Sequence, residues 1–459
     1  MRSSSMPFGP APPVPARHDP STPPAAPTDP PTLRRRIVLA LFVFIVFIVF
    51  SGCVGIDETV RETGEAPSRM ERDLTAIAGM GPRERLAHMT LREKIGQRFI
   101  IYVPRSFAAG EEARRYATVL KEGAPAGMII YPWNYTSRTD LVELTAKLQR
   151  MNAGNVPGGR LLIAADQEGG RVAAYRFLDL PRFPSAARIA EQAVRPPAAA
   201  KRPGEGPFTG AADPEYVRSV AYITGRDLAS LGISMNYAPV LDLTDRPDRS
   251  IIGDRSWGND PDLVATLGVG YVEGMTAAGV IPTVKHFPGH GVTRVDSHGR
   301  LPVVEMTRAE LAASHLLPFV DAVEAGVPAI MTAHILFPAI DPDFPVTISD
   351  VFLREILRDE LGFEGVVVSD GLSMGALADN YDTDLVLERA LTLDVDLILL
   401  HDRYDYLAII DRVERLIADG RVSVSDVERG ALRVLRLKER FGLLRHAGYD
   451  DEHPDRYGH

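Results

Sequence analysis

The sequence predicts a single (β/α)8 barrel of the α/β class, and three observations carry that expectation. Eight strand-like apolar runs recur along the chain, most with amphipathic helical segments between them, the rhythm of repeated βα units. No glycine-rich dinucleotide fingerprint follows any of them, which disfavours a nucleotide-binding open sheet. From the third run to the seventh, each carries polar or charged groups at its end, where a barrel of this kind gathers its chemistry.

The 459 residues are 45% hydrophobic and 24% charged, enough to bury a sizeable core. A formal net charge of −10 argues against nucleic acid as a partner. Residues 1–33, rich in Pro, Ser and Ala, lack apolar periodicity and are expected to be disordered. Arg34, Arg35 and Arg36 precede an unbroken apolar run, 37–50, that ends in Phe50-Ser51-Gly52-Cys53. The run is short of the roughly 20 residues a spanning helix needs but fits the core of a signal peptide. Its end resembles a bacterial lipobox, which makes Cys53, the only cysteine, the expected lipidation site and the protein an extracytoplasmic lipoprotein anchored to a bacterial membrane. Phe50 stands where leucine is usual, so an uncleaved signal anchor is the alternative.

Residues 54–71 read as a tether, and helical patterning starts near Arg72. Thr90 is an expected N-cap, with Glu93 completing a capping box. The strand expectations are 98–103, 127–131, 161–165, 234–243, 281–286, 329–334, 365–369 and 397–401. The Pro/Ala/Gly-rich stretch 193–210 reads as a surface insertion after the third unit. The segment 407–444 reads as helical and should cap the barrel. The barrel domain is thus expected over 72–446, followed by a tail, 447–459, too short for a second folded domain.

The most informative stretch is Lys285-His286-Phe287-Pro288-Gly289-His290-Gly291, with Asp296-Ser297-His298 after it. An apolar run opens there into a loop carrying one cation and three histidines, unusual chemistry for a strand end because unpaired buried polar groups are costly. His286 and His290 are four apart, but Pro288 and Gly289 between them exclude the helical two-histidine zinc geometry. A structural metal site and a plain polar loop are the alternatives to a sugar- or anion-binding catalytic site. Other strand ends contribute Asp166, Gln167 and Glu168, Asn236 and Asp242, Arg255 in the next loop, His334, and Asp370 after Val366-Val367-Val368-Ser369.

K-H-F-P-G-H-G followed by D-S-H resembles the signature of the β-N-acetylhexosaminidases of glycoside hydrolase family 3, and the likeness extends from about Met89 to Leu444. It implies a retaining exo-β-N-acetylglucosaminidase acting through a covalent glycosyl–aspartate, with Asp370 as the nucleophile. It implies a histidine rather than a carboxylic acid as proton donor: His298, with Asp296 holding its ring. Asp166, Arg255, Lys285 and His286 match positions that grip the terminal sugar, and Met374 is expected to pack beneath it. No metal or cofactor is implied. The expected substrate is a glycan or muropeptide carrying terminal N-acetylglucosamine. Related sequences often place an arginine eight positions after Asp166; here that position is Ala174, and Arg176 lies two further on. A β-glucosidase or β-xylosidase of the same family, a phosphorylase and a non-catalytic sugar-binding lipoprotein are the other readings.

Overall fold

The computed structural model describes residue 77 and residues 79–444, except 106, 108–110, 156, 176–179, 181, 195–211, 245–249, 294–296 and 298. All of these lie in the second of two units into which the chain divides, Glu65–His459. The apolar run 37–50, Cys53, the tether and the greater part of the expected insertion lie outside the described residues. Among the described residues, no helix is long and apolar enough to cross a membrane.

Eight parallel strands close a barrel, as expected. They are β1 (Phe99–Tyr102), β2 (Gly127–Ile129), β3 (Leu162–Ala165), β6 (Met235–Asn236), β7 (Ile281–Phe287), β8 (Ala329–Thr332), β9 (Val366–Gly371) and β10 (Leu397–Leu400), with β1 closing onto β10. A short antiparallel hairpin, β4 (Gln167–Gly169) and β5 (Val172–Ala173), stands outside the barrel. Alternation explains why the barrel strands read as almost unbroken apolar runs. Ile100, Leu162, Met235, Ile281, Met331, Val368 and Leu399 fill the interior, while Ile101, Ile163, Val284, Ile330, Val367 and Ile398 face the surrounding helices.

Two expectations need correction. The fourth run is not a strand over 234–243: only Met235–Asn236 pairs regularly, with an isolated bridge from Val240 to Lys285. Pro239 has no N–H for the ladder, and the chain beyond it reaches the barrel mouth with Asp242 buried there. The C-terminal segment is two helices, Tyr406–Ala418 and Val424–Arg440, separated at Gly420, whose φ of 73° suits glycine. The β4–β5 hairpin was not foreseen, although Gly169-Gly170 between two short runs is a turn signal.

Thr90 caps the helix Leu91–Gly96 as expected: Thr90 Oγ1 accepts from Glu93 N, and Glu93 Oε2 accepts from Thr90 N. The last helix contributes Val434 and Leu437 to the interior cluster and thereby stops the amino-terminal end of the barrel. Beside them Lys438 is fully buried, donating to Gln97 Oε1 at 3.0 Å and Gly158 O at 2.8 Å.

Burial pushes the Lys438 ammonium down to about 7. Between about pH 7 and the ordinary lysine value of about 10.4, the unfolded chain holds a proton at this site that the folded chain has released. Stability should therefore rise with pH across that window, because the cost of the buried charge is relieved first in the folded state. In Lys438→Met this component of the slope should be missing, which thermal unfolding of both proteins between about pH 7 and 10 would reveal.

Candidate active site

The strand ends surround one cavity of about 700 Å³ at the carboxyl rim. Asp166, Arg255, Lys285, His286, Asp370 and Met374 all line it, so six of the residues singled out from sequence share one wall. Asp296 and His298 lie outside the described residues, but Ser297 between them is buried and lines the same cavity. Its carbonyl accepts from Ala376 N at 3.2 Å, and its Oγ lies 3.1 Å from His290 Nε2.

Consecutive residues of a regular strand face opposite sides, yet Lys285 and His286 both line the cavity. The register of β7 against β8 shifts between Val284 and Phe287, and such an irregularity re-aims side chains. Lys285 Nζ donates to Asp166 Oδ1 and lies as close to Glu168 Oε1, each at 2.7 Å. Arg255 donates to the same Glu168 through Nε at 2.7 Å and Nη2 at 2.8 Å. Burial alone would raise the Glu168 carboxyl, but the two cations outweigh it and hold the group down at about 2. Lys285 and Arg255 are held above their ordinary values, their acidic partners outweighing the burial that disfavours their charge. A three-donor ammonium with two partners keeps one N–H for a ligand oxygen, and the guanidinium fork keeps several.

His286 is set by Asp242, whose side chain is fully buried. Asp242 Oδ2 lies 2.6 Å from His286 Nδ1, while Oδ1 accepts from the backbone N–H of His286 at 3.1 Å and of His290 at 2.6 Å. Burial opposes ionisation of Asp242, yet the facing His286 and the backbone donors hold it far below the usual carboxylate range. An ionised Asp242 places the proton on Nδ1 and leaves Nε2 for the ligand. Burial, with His286 close by, lowers His290 to about 4, so it stays neutral against Ser297.

Asp370 lies near the end of β9, half-buried, with Oδ1 accepting from Gly371 N at 2.7 Å. His334 does not reach the cavity wall. It is buried behind β9, with Nε2 3.1 Å from Gly371 O and Nδ1 2.8 Å from Thr347 Oγ1, and so braces the strand that carries Asp370. Asn236 likewise braces rather than binds: its amide clamps the backbone N–H and carbonyl of Gln167, both at 2.9 Å. Ala174 lines the cavity, and Arg176 lies outside the described residues. Arg171 supplies a cation to the lining, donating to Ile251 O and Ile252 O. Tyr131, Trp133 and His401 also line the cavity and were not singled out. Tyr131 and His401 stand at the ends of two expected strands, so the strand-end rule that found Asp370 applied to them too.

The chain matches the model of the glycosyl hydrolase family 3 N-terminal domain over residues 90–437. The chain belongs to glycosyl hydrolase family 3. A β-hexosaminidase from Thioalkalivibrio sulfidiphilus is 38% identical over 293 residues, 64% of this chain and 77% of that protein. β-Hexosaminidase A from Pseudoalteromonas piscicida is 32% identical over 332 residues, 68% of this chain but only 53% of that protein, so the chain spans about half of that relative. The structure of a family 3 β-N-acetylglucosaminidase from Paenibacillus superposes with a TM-score of 0.69 at 35% identity, covering 77% of this chain and 63% of that one. Membership of family 3 makes the chain a glycosidase and the cavity its candidate catalytic site.

Glu168 is not available as an acid in this glycosidase, since it is ionised and bound through both oxygens. Its ion pairs stabilise the folded state fully above about pH 4.3, the ordinary glutamate value, and are lost as pH falls through about 2. Glu168→Gln should destabilise the protein by about 3 kcal/mol near neutral pH, the scale of breaking a buried pair. Thermal melts should show that gap constant above about pH 5 and narrowing below about pH 4.

Proposed function

We propose that this family 3 enzyme is a retaining exo-β-N-acetylglucosaminidase that releases terminal β-linked N-acetylglucosamine, with peptidoglycan fragments as its natural substrates. The observation that carries the reading is that Asp370, the cation-rich cluster of Asp166, Arg255 and Lys285, and Ser297 of the Asp296–His298 segment all line one cavity. Its volume falls within the roughly 300–1,000 Å³ of small-ligand sites.

Asp370 attacks the anomeric carbon, forming a glycosyl–enzyme that water later resolves with net retention. Lys285, Arg255 and the Nε2 of His286 face the hydroxyls of the bound sugar, where charge-assisted hydrogen bonds give strength and direction. His298 gives its proton to the departing oxygen, and Asp296 favours the charged ring. Two points support this role: Ser297, between the two in sequence, lines the cavity, and Glu168, the alternative proton donor, is committed to Arg255 and Lys285. Lipid attached at Cys53 would hold the enzyme outside the cytoplasmic membrane, where cell-wall glycans are found; mass spectrometry of the purified amino terminus tests that anchor.

Two measurements test the chemistry. Asp370→Asn should abolish turnover with the fold intact, and a 2-fluoro sugar should label Asp370; labelling at another carboxylate would sink the assignment. His298→Ala should slow a natural disaccharide far more than a nitrophenyl glycoside, whose leaving group needs little protonation. General acid catalysis contributes roughly 10²–10⁴-fold, so the gap should be easy to measure. Equal losses on both substrates would instead make His298 a binding or loop-holding residue.

A further inference from the structure

At one lip of the cavity stands an aromatic stack that none of the proposed steps uses. Trp133, 47% exposed, lines the cavity just beyond β2. Tyr131 stacks on it, with ring centroids 4.4 Å apart and planes 19° from parallel. The Tyr131 hydroxyl is in turn 3.0 Å from His401 Nε2, which ties the stack to the end of β10. From the loop after β1, exposed Arg105 lays its guanidinium carbon 4.8 Å from the Trp133 ring centroid.

A cation over an aromatic face is held by the ring quadrupole, and the contact uses none of its N–H donors. No carboxylate among the described residues pairs with Arg105. By contrast, Arg171 and Arg255, the arginines of the cavity wall, are each already paired with a carboxylate, Arg171 with Asp254 and Arg255 with Glu168. Arg105 is therefore a guanidinium held against the Trp133 ring beside the cavity, its planar fork without a carboxylate partner among the described residues, the geometry that suits a carboxylate ligand. Trp133 is covered by Tyr131 at 4.4 Å and by Arg105 at 4.8 Å, so the ring serves to hold the guanidinium at this lip of the cavity rather than to stack on a sugar.

We propose that Arg105, held in place by Trp133, belongs to the subsite for the leaving group and makes the enzyme select leaving-group sugars bearing a carboxylate. This rests on the exo-β-N-acetylglucosaminidase reading and adds to it the residue that reads the leaving group.

The test compares two disaccharides that share the same non-reducing sugar. One is N-acetylglucosaminyl-β-1,4-N-acetylmuramic acid, whose leaving group carries a lactyl carboxylate; the other is neutral N,N′-diacetylchitobiose. The readout is the ratio of their kcat/KM values in wild type, Arg105→Gln and Arg105→Glu. An exposed ion pair is worth roughly 0.2–1 kcal/mol, so Arg105→Gln should lower the ratio by about 1.4- to fivefold. Arg105→Glu should lower it further, because repulsion replaces attraction. In wild type the ratio should fall as salt is added, and in Arg105→Gln that dependence should vanish. A merely structural Arg105 would change both substrates alike and leave the ratio untouched in both variants; that result overturns the inference. Failure of wild type to release N-acetylglucosamine from either disaccharide or from its nitrophenyl glycoside would overturn the underlying reading instead.

Discussion

One buried carboxylate decides the shape of this site. Glu168, on the hairpin after β3, holds Arg255 from the loop beyond β6 and Lys285 from β7, so three segments distant in sequence are locked together by a single anion. Taking those charges out of water is costly, and the cluster is favourable only because each partner compensates the others. Its role is positional: it sets a guanidinium and an ammonium at the base of the cavity with donors left over, and it keeps Glu168 itself out of proton transfer. Asp242 repeats the principle on a smaller scale, where one carboxylate gathers His286 and two backbone N–H groups and settles which ring nitrogen faces the ligand.

Most of the barrel was legible from sequence because parallel strands are buried on both faces and read as apolar runs whatever their neighbours. Asp370, Lys285 and His286 were legible for a related reason: charged side chains at the end of such a run need partners or a ligand. The fourth strand was misread because apolar residues continue past the point where Pro239 breaks the ladder. The division of labour among the charges was not legible. Nothing in the order of residues says that Arg255 and Lys285 share Glu168, or that His334 props Gly371 instead of facing substrate, since those are questions of distance between segments far apart in the chain. The contact of Arg105 with Trp133 escaped for the same reason, since one follows β1, the other follows β2, and neither belongs to a motif.

Ser297 is held at two points. Its carbonyl is bound to the helix that follows Met374 and its hydroxyl meets His290, so Ser297 itself is pinned to the structures that flank the nucleophile. The residues on either side of that pin are the two the proposed chemistry asks most of.

The plug formed by Val434 and Leu437 has a kinetic consequence. With its floor filled by side chains, the cavity is a dead end, and traffic in both directions shares one doorway. In the proposed reaction the leaving-group sugar occupies that doorway and must depart before water can reach the glycosyl–enzyme. The trimmed monosaccharide then leaves last, along the path the next substrate needs. Free N-acetylglucosamine would consequently compete with substrate for the empty enzyme, so the geometry of a closed barrel floor would reappear as product inhibition and damp turnover wherever the released sugar accumulates.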